Sequence, residues 1–187
     1  MKYAFIYSTI AVLAGSAHAG FFSEFGDNDT LSMANDVGMF DAPGGSILIE
    51  GTLGTSDVDW FSFTLSDAAS LSFFGAFGAG GGDGVMQIVT DAVGDSGDVI
   101  AFDDDSGEGL MPAIVLEDLS AGTYFIGFSG FGDVDSTSVD TDEIADGIGH
   151  DESFSYKLSV AFSIVPAPGS MALFGAGGLM MIRRRRA

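Results

Sequence analysis

The chain has 187 residues and a net charge of −21, with 27 acidic residues and only six basic ones. It contains no cysteine, which excludes disulfides, thiolate metal ligands and cysteine nucleophiles. Residues 20–165 hold every Asp and Glu but a single basic residue, Lys157. A body of this charge repels nucleic acid and attracts divalent cations, so no nucleic-acid partner is expected.

The first 19 residues have the order of a secretory signal peptide. Lys2 supplies the positive charge, Tyr3–Leu13 is apolar, and Ala17–His18–Ala19 is a small-x-small cleavage site. We therefore expect signal peptidase to read Ala17 and Ala19 and to cleave after Ala19. The alternative is that this stretch forms a buried N-terminal helix or strand.

Residues 20–164 are predicted to form one all-β domain, an antiparallel β-sandwich. Short runs alternate apolar and polar residues and are separated by Gly, Asp and Ser clusters, and no stretch keeps a helical period. The polar stretch Gly132–Glu152 is predicted to be a solvated loop. The predicted strands are Ser46–Leu53, Trp60–Leu65, Ser70–Phe77, Val85–Val89, Val99–Phe102, Ala113–Leu116, Thr123–Phe128 and Ser153–Phe162.

Six motifs follow one another in the order known from a family of secreted domains. They are Asn28–Thr30, Gly51–Leu53, Asp57–Leu65, Phe102–Asp105, Ala121–Ile126 and Ser155–Val160. This order resembles the pre-peptidase C-terminal domain, a β-sandwich often appended to secreted peptidases and surface proteins. The resemblance implies a jelly-roll-like sandwich.

The same resemblance implies a calcium site, because calcium joins the N-terminal segment to the first strands in the collagenase members of that family. Glu24, Asn28 and Asp29 match the N-terminal ligands, although Gly26 stands where another acid is expected. Asp57 and Asp59 are the expected partners from the second segment. Oxygen ligands of this kind suit calcium, while turn and strand-start chemistry is the alternative role for the latter two.

A second candidate calcium site is the run that begins at Asp103. Adjacent carboxylates repel one another unless a cation or solvent separates them, and the spacing is not that of an EF-hand. The alternative is a solvated turn. The residues concerned are Asp103, Asp104, Asp105 and Glu108.

The C-terminal residues 165–187 combine a proline motif, an apolar stretch and an arginine cluster. Val165, Pro166, Ala167 and Pro168 are followed by the uncharged stretch Gly169–Ile182, predicted to be a short apolar helix. The chain closes on Arg183, Arg184, Arg185 and Arg186, which are expected to stay cytoplasmic. This order resembles the PEP-CTERM sorting signal, although Ala167 stands in place of the glutamate.

That resemblance implies processing by an exosortase in a Gram-negative bacterium that makes exopolysaccharide. A plain membrane anchor is the alternative. We expect an exported, non-enzymatic protein of the cell surface or extracellular matrix, anchored transiently in the inner membrane and associated with exopolysaccharide. His150, the one histidine left after signal removal, is expected to be solvated.

Two other functions stay open. One is a carbohydrate-binding module for extracellular polysaccharide, in which Trp60 or Tyr124 stacks on sugar rings unless strand alternation buries it. The other is an accessory domain of a secreted hydrolase.

Overall fold

A computed structural model describes residues 18–133 and 143–165 of the chain. Within these ranges the chain forms ten strands and one short 3-10 helix, Leu31–Met33. The strands are β1 His18–Ser23, β2 Asn35–Phe40, β3 Gly44–Leu53, β4 Val58–Leu65, β5 Ala69–Ala79, β6 Gly84–Val93, β7 Ser96–Asp103, β8 Ala113–Leu119, β9 Gly122–Gly130 and β10 Phe154–Ile164.

The strands form two five-stranded sheets. Sheet 1 has the order β1-β3-β10-β5-β8 and sheet 2 the order β2-β4-β9-β6-β7. Without β1 and β2, the remaining eight strands follow the order of a jelly roll, with four strands in each sheet. The predicted all-β, two-sheet architecture is therefore confirmed.

Two strand pairs differ from the predicted antiparallel arrangement. β1 runs parallel to β3, and β2 runs parallel to β4. Parallel neighbours need a long crossover rather than a tight hairpin, and here the connection from β1 to β3 contains β2, which lies in the other sheet. Both sheets are consequently mixed at one edge.

The main core lies between the two sheets, where the alternating side chains of both meet. Phe61, Phe63 and Leu65 of β4 are fully or almost fully buried there, as the alternation of this strand predicts. The Phe40 ring stacks on Phe162 of sheet 1 with centroids 4.4 Å apart and on Phe63 with centroids 5.1 Å apart. Aromatic stacking thus joins the two sheets across the core.

The outer face of sheet 2 carries a second apolar cluster. Trp60 lies at its centre, fully buried, and its ring covers Gly127 of β9 so closely that a Cβ there would overlap the indole. The cluster also contains Leu31 from the 3-10 helix, Val58, Val89 and Ala145. The helix and the segment that includes Ala145 therefore cover this face.

The described end of the predicted loop Gly132–Glu152 is not simply solvated. The Gln87 side chain donates to the carbonyl of Glu143 at 2.7 Å and accepts from the amide of Ala145 at 3.0 Å. The Asp133 carboxylate accepts from the amide of Gly147 at 3.1 Å. These bonds hold residues 143–147 against sheet 2.

The sorting and processing predictions fall largely outside the described residues. Ala17 lies outside them, as do Pro166, Ala167, Pro168, the apolar C-terminal stretch and Arg183–Arg186. Ala19 lies in β1 and pairs with Ser46, and the amide of Val165 donates to the carbonyl of Ala68 at 2.7 Å. In the part of the chain that the structure describes, no helix is long and apolar enough to cross a membrane.

Candidate metal centre

The segment from Glu24 to Asp29 docks between the ends of β3 and β4. The amide of Glu24 donates to the carbonyl of Glu50 at 2.9 Å, which extends the pairing of β1 with β3 by one residue. The amide of Trp60 donates to the carbonyl of Asn28 at 3.0 Å, and the Asn28 side-chain amide donates to the carbonyl of Trp60 at 3.2 Å. The segment is thus fixed against the start of β4.

Asp59 is the buried member of this region. Its side chain is 1% exposed, and one carboxylate oxygen accepts a hydrogen bond from the Tyr156 hydroxyl at 2.7 Å. Burial is the main cause that raises the pKa of Asp59 to about 8; the hydrogen bond from Tyr156 opposes the rise, and the charges of Glu24 and Asp57 add to it. Burial, together with the neighbouring Asp59, also raises the pKa of Tyr156.

Four more carboxylates lie in the same two segments as Asp59, and together the five are called the acidic cluster: Glu24, Asp27, Asp29, Asp57 and Asp59. Burial raises the pKa of Asp29, and the charges of Asp57, Asp27 and Glu24 add to that rise. Glu24 accepts from the amide of Thr52 at 2.8 Å, and Asp57 accepts from the amide of Gly54 at 2.7 Å. The structure therefore brings together the four acids predicted from the two segments.

The sequence prediction did not include Asp27, and it gave Asn28 only the role of a metal ligand. Asp27 lies in the same segment as Glu24 and Asp29, and its charge contributes to the raised pKa of Asp29. Asn28 is 1% exposed, and its side-chain nitrogen is bonded to the backbone of β4. Pattern alone does not single out Asp27, because the segment holds several polar residues in a row.

The acidic cluster has the ligand atoms that a calcium ion prefers, but its side chains do not converge on one point. Its members offer the carboxylate oxygens that calcium prefers, and a buried carboxylate among like charges lacks a compensating cation. The one basic residue of the body, Lys157, instead pairs with Glu50 at 2.6 Å. Within residues 18–133 and 143–165, however, no three Asp, Glu or His side chains converge into a ready ligand set.

His150 is a structural residue of this region that the sequence prediction placed wrongly in solvent. It is 3% exposed, with Nε2 2.8 Å from the carbonyl oxygen of Asp57 and Nδ1 accepting from the amide of Glu152 at 3.2 Å. The amide of Asp57 also donates to Nε2 at 3.2 Å, so Nε2 lies against both the amide and the carbonyl of Asp57. The Ser129 hydroxyl donates to the same carbonyl at 3.0 Å.

The only sequence feature that is linked to the burial of His150 is Gly130 in β9. A Cβ at that position would overlap the imidazole, so the close approach of His150 to β9 requires glycine. One glycine among 28 does not single itself out. The imidazole thus anchors the backbone of Asp57, behind the acidic cluster.

The second candidate site forms a turn after β7. The Asp103 carboxylate accepts from the amides of Ser106 at 3.1 Å and Ala113 at 2.8 Å, which is the turn role. Asp104 and Asp105 lie near Asp83, whose pKa is raised first by burial and then by Glu152 and these two acids. Glu108, the last member of the run, is exposed.

The two aromatic residues considered for sugar stacking do not present their rings. Trp60 is fully buried in the cluster on sheet 2. Tyr124 is 7% exposed, packs in the main core, and donates its hydroxyl to the carbonyl of Ser120 at 2.9 Å. The packing of sheet 2 has buried both.

Comparisons with known proteins show distant structural likenesses. No protein-family model matches the chain, and no curated protein matches it. The pre-peptidase C-terminal domain of a collagenase from Bacillus anthracis is 16% identical, with a TM-score of 0.41 over 68% of this chain and 93% of that one. It belongs to the family that the sequence motifs resemble.

Two further likenesses involve proteins described as periplasmic or surface-associated. A periplasmic inhibitor of g-type lysozyme from Aeromonas hydrophila is 14% identical, with a TM-score of 0.45 over 70% of this chain and 97% of that one. A surface-associated copper-binding protein of Methylomicrobium album is 13% identical, with a TM-score of 0.36 over 71% and 100%. At these scores the likenesses carry no information about a ligand.

Proposed function

We propose that the chain is an exported, non-enzymatic protein of the cell surface or extracellular matrix whose β-sandwich is stabilised by calcium at the acidic cluster. The observation that supports this most is Asp59, a buried carboxylate that lies close to the charges of Glu24 and Asp57. Such a group is costly in the folded chain unless a proton or a metal ion compensates it.

The proposed ion would be held by Glu24, Asp29, Asp57 and Asp59, with Asp27 beside them. Calcium would supply positive charge and bring oxygen ligands from two segments to one point. The residues themselves do the rest. Tyr156 donates to one oxygen of Asp59, the amide of Thr52 to one of Glu24, and the amide of Gly54 to one of Asp57, so three of the four carboxylates have a fixed partner.

Export and sorting are the second part of the proposal. They rest on the order of charge, apolar stretch and cleavage site before Gly20, and on the proline motif, apolar stretch and arginine cluster after Val165. On this proposal signal peptidase removes the first segment, the tail holds the protein in the inner membrane, and an exosortase then cleaves the tail. Attachment to exopolysaccharide at the cell surface would follow.

Thermal melts test the calcium part on the exported protein recovered from a Gram-negative host. Because calcium binds the folded state, the melting temperature should rise with calcium, with a stabilisation of about 2.7 kcal/mol at 100-fold over Kd. Asp29→Ala combined with Asp59→Ala should lose this rise. Asp41→Ala combined with Asp151→Ala, which removes two exposed acids outside the cluster, should keep it.

Magnesium and sodium at matched ionic strength separate binding from charge screening. The calcium site is wrong if calcium adds no more than those salts, or if both double variants respond alike. In either case the cluster would act only through its turns and hydrogen bonds.

A further inference from the structure

The outer face of sheet 1 carries aromatic rings that no other part of the described chain covers. One row of side chains runs in register across all five strands, and it includes Phe21 at 64% exposure and Phe74 at 48%. The row is Phe21, Leu48, Ser159, Phe74 and Ala113. Neighbouring strands are about 4.8 Å apart, so the two rings lie about 14 Å apart across the face.

The adjacent row on this face is small and uncharged, except for one exposed valine at its end. Val115 is 61% exposed, and the other side chains are serine or alanine. In the mature chain the row is Ser46, Ala161, Ser72 and Val115; Ala19, which pairs with Ser46, precedes the proposed cleavage point. The two rows together are called the open face.

The open face has almost no charge in a strongly acidic protein. Next to it lie Glu50 and Lys157, which neutralise each other in an ion pair, and Glu117 lies on the edge strand β8. The acidic cluster and most of the other described acids lie in the turns and in the strands of sheet 2. The acidic residues therefore lie around the open face, and the face itself is almost uncharged.

The two outer faces of the sandwich differ in how they are covered. On sheet 2, the 3-10 helix and residues 143–147 pack over Trp60 and bury it completely. On sheet 1, alternation turns Phe22, Phe73 and Val160 into the core and leaves their neighbours Phe21, Phe74 and Ser159 outside. Exposed rings grouped on one outer face are typical of a surface that contacts a partner.

We propose that the open face binds a neutral polysaccharide, an inference that builds on the proposed location at the cell surface. The two phenylalanine rings offer flat apolar surface for the C–H faces of sugar rings. The serine hydroxyls between them can each donate and accept a hydrogen bond, as sugar hydroxyls do. Because the surrounding body is acidic, an uncharged chain approaches it without the repulsion that a polyanion meets.

Other classes of partner fit this surface less well. A lipid phase would strand the hydroxyls of Ser46, Ser72 and Ser159 in hydrocarbon. Protein interfaces are depleted in serine and alanine, which make up most of the second row. A second copy of this chain would bring two acidic bodies together.

A polar cavity of about 420 Å³ lies beside the open face, and the ion pair of Glu50 with Lys157 forms part of its lining. Ser23, Thr52, Ser155 and Lys157 contribute to its lining, beside Glu24 of the acidic cluster. Its polar groups extend the hydrogen-bonding surface beside the two rows.

Co-sedimentation of the full exported chain tests the proposal. The probes are microcrystalline cellulose, curdlan and mannan as neutral polysaccharides, and carboxymethyl-cellulose as the anionic counterpart of the first. We expect retention on at least one neutral probe and none on carboxymethyl-cellulose. Phe21→Ala with Phe74→Ala should weaken the retained binding by at least about tenfold, and Ser159→Asp should do the same.

Two controls keep folding and calcium separate from this surface. Phe131→Ala removes a ring of similar exposure from a turn outside the face and should bind like the unaltered chain. The Asp29→Ala and Asp59→Ala double variant should also keep binding, so a failure of the calcium site is distinguishable. Retention on no neutral probe, equal retention after the two Phe substitutions, or a dimer that those substitutions abolish would each overturn the proposal.

Discussion

At the scale of single residues, the buried Asp59 makes the stability of the fold depend on pH. Burial raises its pKa from 3.8 to about 8, so between these values the folded chain holds a proton that the unfolded chain releases. The stability that comes from this proton is complete below about pH 4 and is lost as the pH rises through 8. The pKa values of Asp29, Asp83 and Asp133 are also raised, which acts in the same direction.

We therefore predict that the metal-free protein melts at a lower temperature at pH 8 than at pH 5. Asp59→Asn should reduce that difference and raise the melting temperature at pH 8, because the amide oxygen still accepts the bond from Tyr156 without a buried charge. The measurement is a circular-dichroism melt in EDTA across this range. Calcium should reverse the trend in the unaltered chain alone, and a pH profile that is the same for both proteins would contradict the assignment.

At the scale of elements, the strand β10 holds the sandwich together. It lies between β3 and β5 in sheet 1, and its Phe162 stacks on Phe40 of β2, which belongs to sheet 2. A ring at this position therefore contacts both layers, whereas its neighbour Ser163 faces outward.

We predict that Phe162→Ala destabilises the domain by about 3–5 kcal/mol, because it removes a buried ring from between the sheets. Phe162→Leu should cost less because it fills part of the space, and Ser163→Ala should change little. Urea unfolding curves of the three variants provide the measurement. A Phe162→Ala protein that is as stable as the Ser163→Ala protein would show that the stack contributes no more than an exposed side chain.

The elements also show what the sequence can predict. All eight predicted strands are present as β3 to β10, because each is a short run rich in apolar residues between clusters of turn residues. The two missed strands lack that signal. β1 overlaps the predicted cleavage site, and β2 is interrupted by Gly38, where the φ angle is +106° and the pairing with β4 shifts. Whether such a segment pairs as an edge strand depends on the tertiary structure and not on its own sequence pattern.

The candidate site was partly predictable for a related reason. Acids in two short segments can be paired by their resemblance to a known family, and the structure does bring Glu24, Asp29, Asp57 and Asp59 near one another. The buried state of His150 depends on a contact between residues 93 positions apart in the chain. No local pattern records such a contact.

At the scale of the whole molecule, charge is divided between a body and two ends. The body holds all 27 acidic residues, while five of the six basic residues lie at Lys2 and Arg183–Arg186. Positive ends around an acidic body favour a cytoplasmic position for the ends and an external one for the body.

We predict that the mature protein lacks both ends and begins at Gly20. The measurement is intact-mass analysis of the protein taken from the envelope or the medium of a host that carries an exosortase. A host without one is the control, in which the tail should remain attached. Residues 1–19 still present in exported protein would contradict the signal-peptide prediction, and Arg183–Arg186 still present with the exosortase would contradict the sorting prediction.

The central position of β10 has a consequence for how such a chain crosses a membrane. A protein that threads through a translocation channel from its N-terminus delivers β3, β5 and β8 to the outside before β10, yet β3 and β5 have β10 as their common neighbour in sheet 1. Long-range pairing of this kind forms only once the last partner arrives, and an incomplete sheet leaves backbone groups unpaired. On the proposed export route the sandwich would therefore close only as the residues just before the tail emerge, and folding would mark the moment when the whole body is outside.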